Sequence, residues 1–226
     1  MNIFDRQIYH FLALVLLLLC LSALMDDVAR SGQILGIPTL IWLWLSIAVP
    51  ILHQIYVWFC WRSQLRYGFI TKIWGDDGFK AYAIGFSVLL VSRPLLIIML
   101  SLSNRHSISL NPGFAYALSL IFILLSGYVL YSVRTYFGFK RAFGIDHFKA
   151  SYRRLPFVKK GIFRFTSNAM YTFGFLILWV PGLIFFSKAG LIVAGFNHFY
   201  IWVHYYTTEL PDIRFLYRDS GDRKLS

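Results

Sequence analysis

Long apolar runs recur along the chain, separated by short polar stretches. They fall at residues 8–25, 37–60, 81–102 and 114–137, and then as a pair at 170–186 and 189–206. A helix needs roughly 20 apolar residues to cross about 30 Å of hydrocarbon. The pattern therefore predicts an all-α fold, a polytopic transmembrane helical bundle of about six spans. The period-two alternation of a membrane β-barrel is absent. Only Ser187-Lys188 joins the last two runs, which predicts a tight antiparallel helical hairpin. Pro181-Gly182 should kink its first arm, because proline removes a backbone donor and crowds the preceding turn. On this reading one membrane domain comprises four N-terminal spans (1–137), a basic loop (138–169) and the hairpin with its tail (170–226).

Composition agrees with the pattern. Of 226 residues, 58% are hydrophobic and 14% charged, against about a quarter charged in a typical soluble domain. Cys20 and Cys60 both lie in apolar runs, so neither a disulfide framework nor a metal-ligand set is expected. The first run is too long for a signal-peptide core and lacks a small-residue cleavage site, so it reads as a retained helix. The net charge of +12 is concentrated: 18 of the 22 Lys and Arg fall in segments that six spans would place on one side. Arg30, Arg105 and Lys188 fall on the other. The positive-inside bias makes the basic side cytoplasmic, with both termini there, and assigns the charge to topology and anionic lipid rather than to nucleic acid. The absence of an endoplasmic-reticulum retention signal points to a bacterial inner membrane.

Arg93 escapes that bias, since it sits near the middle of the third run in Val91-Ser92-Arg93-Pro94. An arginine there costs between about 3 and 17 kcal/mol unless it is paired or reaches water. It either satisfies carbonyls freed by Pro94 or lines a site for an anionic headgroup. His53 and Gln54, in the second run, hint at the same cavity.

In the last run, His198, Trp202, Tyr205 and Glu209 follow one another at i, i+4, i+7 and i+11, a single stripe at 3.6 residues per turn. Asn197, His204 and Thr208 flank it, and Tyr171, Phe175 and Trp179 repeat on the other arm. Aromatic stripes commonly pack or form interfacial belts. A stripe that also holds histidine and ends in a carboxylate would be costly against lipid, so it is expected to face the bundle interior. No dinucleotide fingerprint, phosphate loop, zinc-protease or nucleophile-elbow motif is present. A basic and aromatic approach around Gly161, a polar turn Thr166-Ser167-Asn168, a tyrosine and a distant glutamate remain. A glutamate accepts hydrogen bonds from ribose hydroxyls and aromatic faces attract a cationic centre, which suits S-adenosylmethionine.

The run Gly161-Ile162-Phe163-Arg164-Phe165-Thr166-Ser167-Asn168-Ala169-Met170-Tyr171 resembles the signature of integral membrane methyltransferases, which include phospholipid (phosphatidylethanolamine) N-methyltransferases and isoprenylcysteine carboxyl methyltransferases. Downstream, Tyr205-Tyr206-Thr207-Thr208-Glu209-Leu210-Pro211-Asp212 with Tyr217 looks like that family's tyrosine-rich helix end, and 134–148 looks like its basic approach. The resemblance covers about the C-terminal third. It implies contact with S-adenosylmethionine for Gly161, Asn168, Tyr171 and Glu209, to which the stripe adds Trp202 and Tyr205. Where the carboxyl methyltransferases carry Arg-His-Pro, this chain has Ser167-Asn168-Ala169, and Leu210 stands where a second glutamate is typical. These departures fit the phospholipid branch better.

The function so expected is methyl transfer to a phospholipid amine at the cytoplasmic leaflet. Glu209, His198, His204, His147 and Asp146 are the candidates for taking the amine proton. Arg93, Arg141, Arg153 and Arg164 are the candidates for the lipid phosphate, the last three also answering to topology alone. A prenylated cysteine or other small lipophilic acceptor is the close alternative. A membrane reductase of the sterol-reductase type would need a dinucleotide-sized polar set that the chain lacks, and a purely structural bundle would leave the Glu209 stripe unexplained. Oligomeric state and the number of methyl groups added are not legible.

Overall fold

Four helices are long and apolar enough to cross a membrane in a computed structural model describing residues 2–218. They are α1 (Gln7–Leu24), α2 (Thr39–Tyr67), α3 (Gly78–Ser103, preceded by the short helix Phe69–Trp74) and α4 (Pro112–Ser132). Their outward faces are greasy: Leu12, Leu16 and Leu19 on α1 and Leu120, Ile121 and Leu124 on α4 are all exposed. In water such faces would aggregate; in hydrocarbon they are solvated. The protein is an integral membrane protein. Arg223 and Lys224, two of those 18 basic residues, lie outside the described residues.

The hairpin forms, but its first arm is not a kinked α-helix. The shorter apolar segment α5 (Ala169–Ile184) begins with an α-turn, runs as a 3-10 helix from Gly174 to Trp179, and regains α geometry at Val180–Ile184. Pro181 occupies the start of that last piece, where its missing donor is harmless. A 3-10 rise of about 2 Å per residue against about 1.5 Å for an α-helix lengthens this arm.

The second arm, α6 (Lys188–His204), continues through a π-helical turn, Tyr205–Glu209, into α7 (Leu210–Leu216). Ser187 caps it by accepting from Gly190 N at 3.1 Å, and Asn104 Oδ1 accepts from Ala189 N at 3.0 Å. At the same tip Lys188 pairs with Asp26, an exposed contact worth little. Helices α1, α2, α3 and α5 all pack on α6, and Val193, Ala194, Phe196 and Tyr200 sit in the main core with Leu43, Ile47, Ile97 and Leu178. Helix α4 packs on α5 and scarcely touches α3. A two-residue antiparallel pair, β1 (Gln33–Ile34) and β2 (Ile37–Pro38), connects α1 to α2.

Small residues set how closely the hairpin arms approach. A Cβ on Gly182 would lie 2.8 Å from the backbone nitrogen of Leu191. Backbone cannot rotate away as a side chain can. Gly182→Ala should therefore cost roughly 1–3 kcal/mol, lowering the detergent unfolding temperature measured by fluorescence-detected gel filtration. An unchanged temperature would show that the arms can part freely.

The basic segment 138–169 is a chain of short turns rather than an open loop. Ile145, His147, Ile162 and Phe163 within it are buried. Gly161 adopts φ +59, and a Cβ there would meet Ser132 Oγ at 2.6 Å and the Tyr136 ring at 2.8 Å. The glycine is what lets this turn lie against the end of α4, with Ile162 N donating to Ser132 Oγ at 3.1 Å.

Candidate functional site

The spacing expected of the last helix brings its stripe onto the facing arm. Trp179 Nε1 donates to His198 Nδ1 at 3.1 Å, and Phe175 lies 6.1 Å from the His198 ring. One to two turns on, the Tyr171 ring meets Trp202 at 6.1 Å and Tyr205 at 5.7 Å. At the end of the ladder, the Tyr171 hydroxyl donates to Glu209 Oε2. Asn168, in the turn before α5, lies near the Tyr205 hydroxyl. Tyr171, Asn168, Trp202, Tyr205 and Glu209 thus form one cluster at the basic end of the hairpin.

The π turn is what sequence periodicity could not reveal. Pro211, four residues after Thr207, has no N–H to give the Thr207 carbonyl, and Arg62 Nη2 takes it at 3.0 Å beside the π turn. Such turns recur at functional sites because they re-aim side chains. Glu209 projects from this turn, beyond the apolar part of α6. Burial raises its carboxyl to about 7, against the lowering effect of the Tyr171 hydrogen bond.

Beside Glu209 lies a charge network absent from the sequence reading. Arg62 Nε donates to Asp212 Oδ1 at 3.1 Å, and the two side chains are 1% and 0% exposed. Arg62 Nη1 also binds the Ile3 carbonyl at 2.9 Å, tying the N-terminal segment to α2. His147 stands between Asp146 Oδ1 at 3.1 Å and Asp212 Oδ2 at 3.5 Å, with its ring stacked 4.1 Å from Trp61. Tyr217 donates to Asp146 Oδ2 at 3.0 Å. Arg62 ends the apolar part of α2 and Asp212 follows Pro211; their isolation beside apolar helix ends was the available signal.

This network accounts for Asp146 and His147, both expected as proton acceptors. Burial opposes charge on His147, but its hydrogen bond to the Asp146 carboxylate and the nearby Asp212 carboxylate outweigh it and lift its pKa to about 9. Asp146, despite burial, is lowered by the same contact and by Tyr217. An imidazolium locked this way is a poor acceptor near neutrality. Because the folded-state pKa lies above the ordinary 6.5, its stabilisation is complete below 6.5 and lost as pH rises through about 9. The unfolding temperature should fall between pH 7 and 9.5, and His147→Gln should flatten that slope. An unaltered slope would assign the dependence to another group.

The other expected residues scatter. His198 lies 11 residues before Glu209, about 16 Å along the helix. The Trp179 indole already holds its Nδ1, so it braces the hairpin. The four arginines expected at a headgroup form no single patch. Arg141 binds the Pro156 carbonyl at 3.1 Å and lies over Phe137, Arg153 binds the Asp146 carbonyl at 2.8 Å, and Arg164 is exposed against Phe165. Arg93 is buried far from them: Nη2 donates to the Pro50 carbonyl at 3.3 Å and its guanidinium lies 5.8 Å from the Phe175 ring centroid. The carbonyl it satisfies belongs to the other helix proline, Pro50, and not to the turn around Pro94.

Between α2, α3, α4 and the hairpin lies a cavity of about 670 Å³. Its wall is mostly apolar and aromatic, including Phe86, Leu90, Ile123, Leu130, Phe143 and Ile177. Its polar members are His53, Gln54, Arg93, Ser126, Tyr171 and His204, so Tyr171 joins it to the Glu209 cluster. Lining residues Val91 on α3 and Leu130 on α4 are also exposed to the membrane, at 55% and 59%. Because α3 and α4 scarcely touch, the cavity opens sideways between them.

Residues 114–220 match the family model for phospholipid methyltransferase. The match takes in α4, the basic turns, the hairpin and Glu209, while α1, α2 and α3 fall outside it. No curated protein and no solved structure matches the chain.

Proposed function

Because residues 114–220 are a phospholipid methyltransferase family domain, we propose that this membrane methyltransferase moves a methyl group from S-adenosylmethionine to a phospholipid amine. The acceptor on this reading is phosphatidylethanolamine or its partly methylated forms. The basic end of the bundle faces the cytoplasm, with both termini there, so transfer occurs at the cytoplasmic leaflet. A bacterial inner membrane is the setting proposed. The observation that carries the reading is the sideways-open apolar cavity whose polar wall, at Tyr171, abuts Glu209. A two-tailed amphiphile can enter such a space from the bilayer while its headgroup meets a water-soluble donor.

The residues at Glu209 fit that donor. Among the described residues Tyr171 is the carboxylate's one hydrogen-bond donor, leaving acceptor capacity that a ribose diol would use. Trp202, Tyr205 and Tyr171 stand together next to it, their ring centroids about 6 Å apart, suited to a cationic centre. When bound, S-adenosylmethionine supplies an electrophilic methyl group on sulfonium.

Glu209 would anchor the ribose, and Asn168 would fix Tyr205. Gly161 acts at one remove, by seating the turn that leads to Asn168. The apolar wall of the cavity would exclude water and hold the amine in place, and such positioning can supply up to about 7–11 kcal/mol. The amine nitrogen must first be free of its extra proton. His204 lines the cavity with Nδ1 unpartnered among the described residues, but Arg93, Arg62 and His147 nearby oppose a further positive charge on it. His147 is already charged, so neither histidine takes the proton readily and the amine would shed it to water before entering.

Incubating detergent-purified protein with labelled S-adenosylmethionine and total lipids, followed by chromatography, tests this. Label should enter methylated ethanolamine lipids. Label in a prenylcysteine ester would move the acceptor to the protein-modifying branch, and no labelled product would overturn the reading.

A further inference from the structure

The cavity carries more polar chemistry than amine methylation requires. Arg93 is the one charged side chain among the described residues that line it, and it makes no ion pair among them. It is 3% exposed, its Nε has no hydrogen-bond partner among the described residues, and the Pro50 carbonyl and the Phe175 face are weak compensation for a full charge. His53, 4% exposed, shares the cavity wall; among the described residues neither of its ring nitrogens has a partner, and Arg93 and His204 lie within electrostatic range of it. A buried cation without an anion is expensive in hydrocarbon. Two adjacent side chains with unused donors facing one space point to a partner that arrives with the ligand.

The geometry points to a second binding subsite, Arg93 with His53, that receives the phosphodiester oxyanion of an acceptor lipid while its amine sits at Tyr171. This rests on the methyl-transfer reading for the identity of the lipid, but the subsite stands on the orphaned donors alone. Arg93 is level with Phe175, four residues along α5 from Tyr171, an offset of about 7 Å for a segment of mixed α and 3-10 rise. That is the scale of an ethanolamine spacer plus an arginine contact. Arginine also matches a phosphate better than lysine does, since its planar fork donates two parallel hydrogen bonds. Both residues lie outside the matched domain, so the N-terminal helices would contribute recognition of the acceptor that the family domain does not contain.

The test is lipid retention by the full chain in native mass spectrometry, with phosphatidylethanolamine and a diacylglycerol of the same acyl chains as probes. Wild type should retain phosphatidylethanolamine preferentially. Arg93→Met, which keeps the stem's length and apolar packing, should lower that retention roughly tenfold and leave diacylglycerol unchanged. Arg93→Lys should fall between, and His53→Leu should show a smaller loss; these two carry the test if Arg93→Met does not fold. Inorganic phosphate in excess should displace nothing, and displacement would assign the subsite to a free anion instead. Equal retention by wild type and the variants would overturn the proposal. If retention depends on Arg93 but wild type transfers no label, the subsite stands and the methyl-transfer reading falls. If Arg93→Met transfers label at the wild-type rate and KM, the subsite falls and that reading stands.

Discussion

Glu209→Gln should lower methyl transfer at limiting S-adenosylmethionine by at least about a hundredfold, while Lys159→Ala leaves it within a factor of about two. A hundredfold corresponds to about 2.7 kcal/mol, the scale on which a charge-assisted hydrogen bond in a dry site exceeds a neutral one. Glutamine keeps the shape and still accepts from Tyr171, so the hairpin should remain folded. It loses the charge that would grip two ribose hydroxyls. Lys159 is exposed on the basic turns and touches nothing in the cluster. The pH profile offers a second readout. With its carboxyl raised to about 7, Glu209 is ionised progressively as pH rises through neutrality. Cofactor binding by wild type should strengthen from pH 6 to 8, and that by Glu209→Gln should not. Isothermal titration with S-adenosylmethionine measures both. If Glu209→Gln and Lys159→Ala behaved alike, the Tyr171–Glu209 cluster would be structural.

Much of this cluster was legible because helical periodicity is local. His198, Trp202, Tyr205 and Glu209 needed only 3.6-residue spacing to share a face, and Tyr171, Phe175 and Trp179 only a tight turn to face them. The carboxylate gave the direction, since an acid does not face lipid without cost. Arg93 was legible for the same reason: its expense announced a cavity that His53 and Gln54 also line. What periodicity could not give was any departure from it. The 3-10 stretch in α5 and the π turn at Tyr205–Glu209 are such departures, and the carbonyl that Pro211 leaves free at Thr207 is held by Arg62, 145 residues earlier in the chain. The arginines misled for a related reason. Counted along the chain they form a basic patch, but Arg141 and Arg153 spend their donors on backbone carbonyls that fix the turns.

The largest loss of stability should come from Asp212→Ala, about 3–5 kcal/mol, because breaking a buried pair leaves its partner charged and unpaired. Arg62 is 1% exposed and cannot swing out to water, since its other nitrogens hold the Ile3 and Thr207 carbonyls. His147 would lose its second carboxylate in the same step. One substitution would thus leave Arg62 without its carboxylate, take one of two from His147, and loosen three segments at once: the N-terminus, α2 and the π turn that carries Glu209. Asp212→Asn keeps the shape and should cost less, but still more than any exposed basic residue. The informative variant is the double replacement Arg62→Met with Asp212→Leu. Attraction in a buried pair is largely cancelled by the cost of desolvating both charges, so an apolar pair of similar size can be as stable. The double variant should regain most of the unfolding temperature lost by Asp212→Ala, measured in the same detergent. His147 would retain Asp146, so its pH slope should shrink without vanishing. Methyl transfer should recover less than stability, because nothing in the apolar pair replaces the Arg62 donor to the Thr207 carbonyl, and the aim of Glu209 depends on that turn. Equal recovery of both would mean that the π turn forms without Arg62.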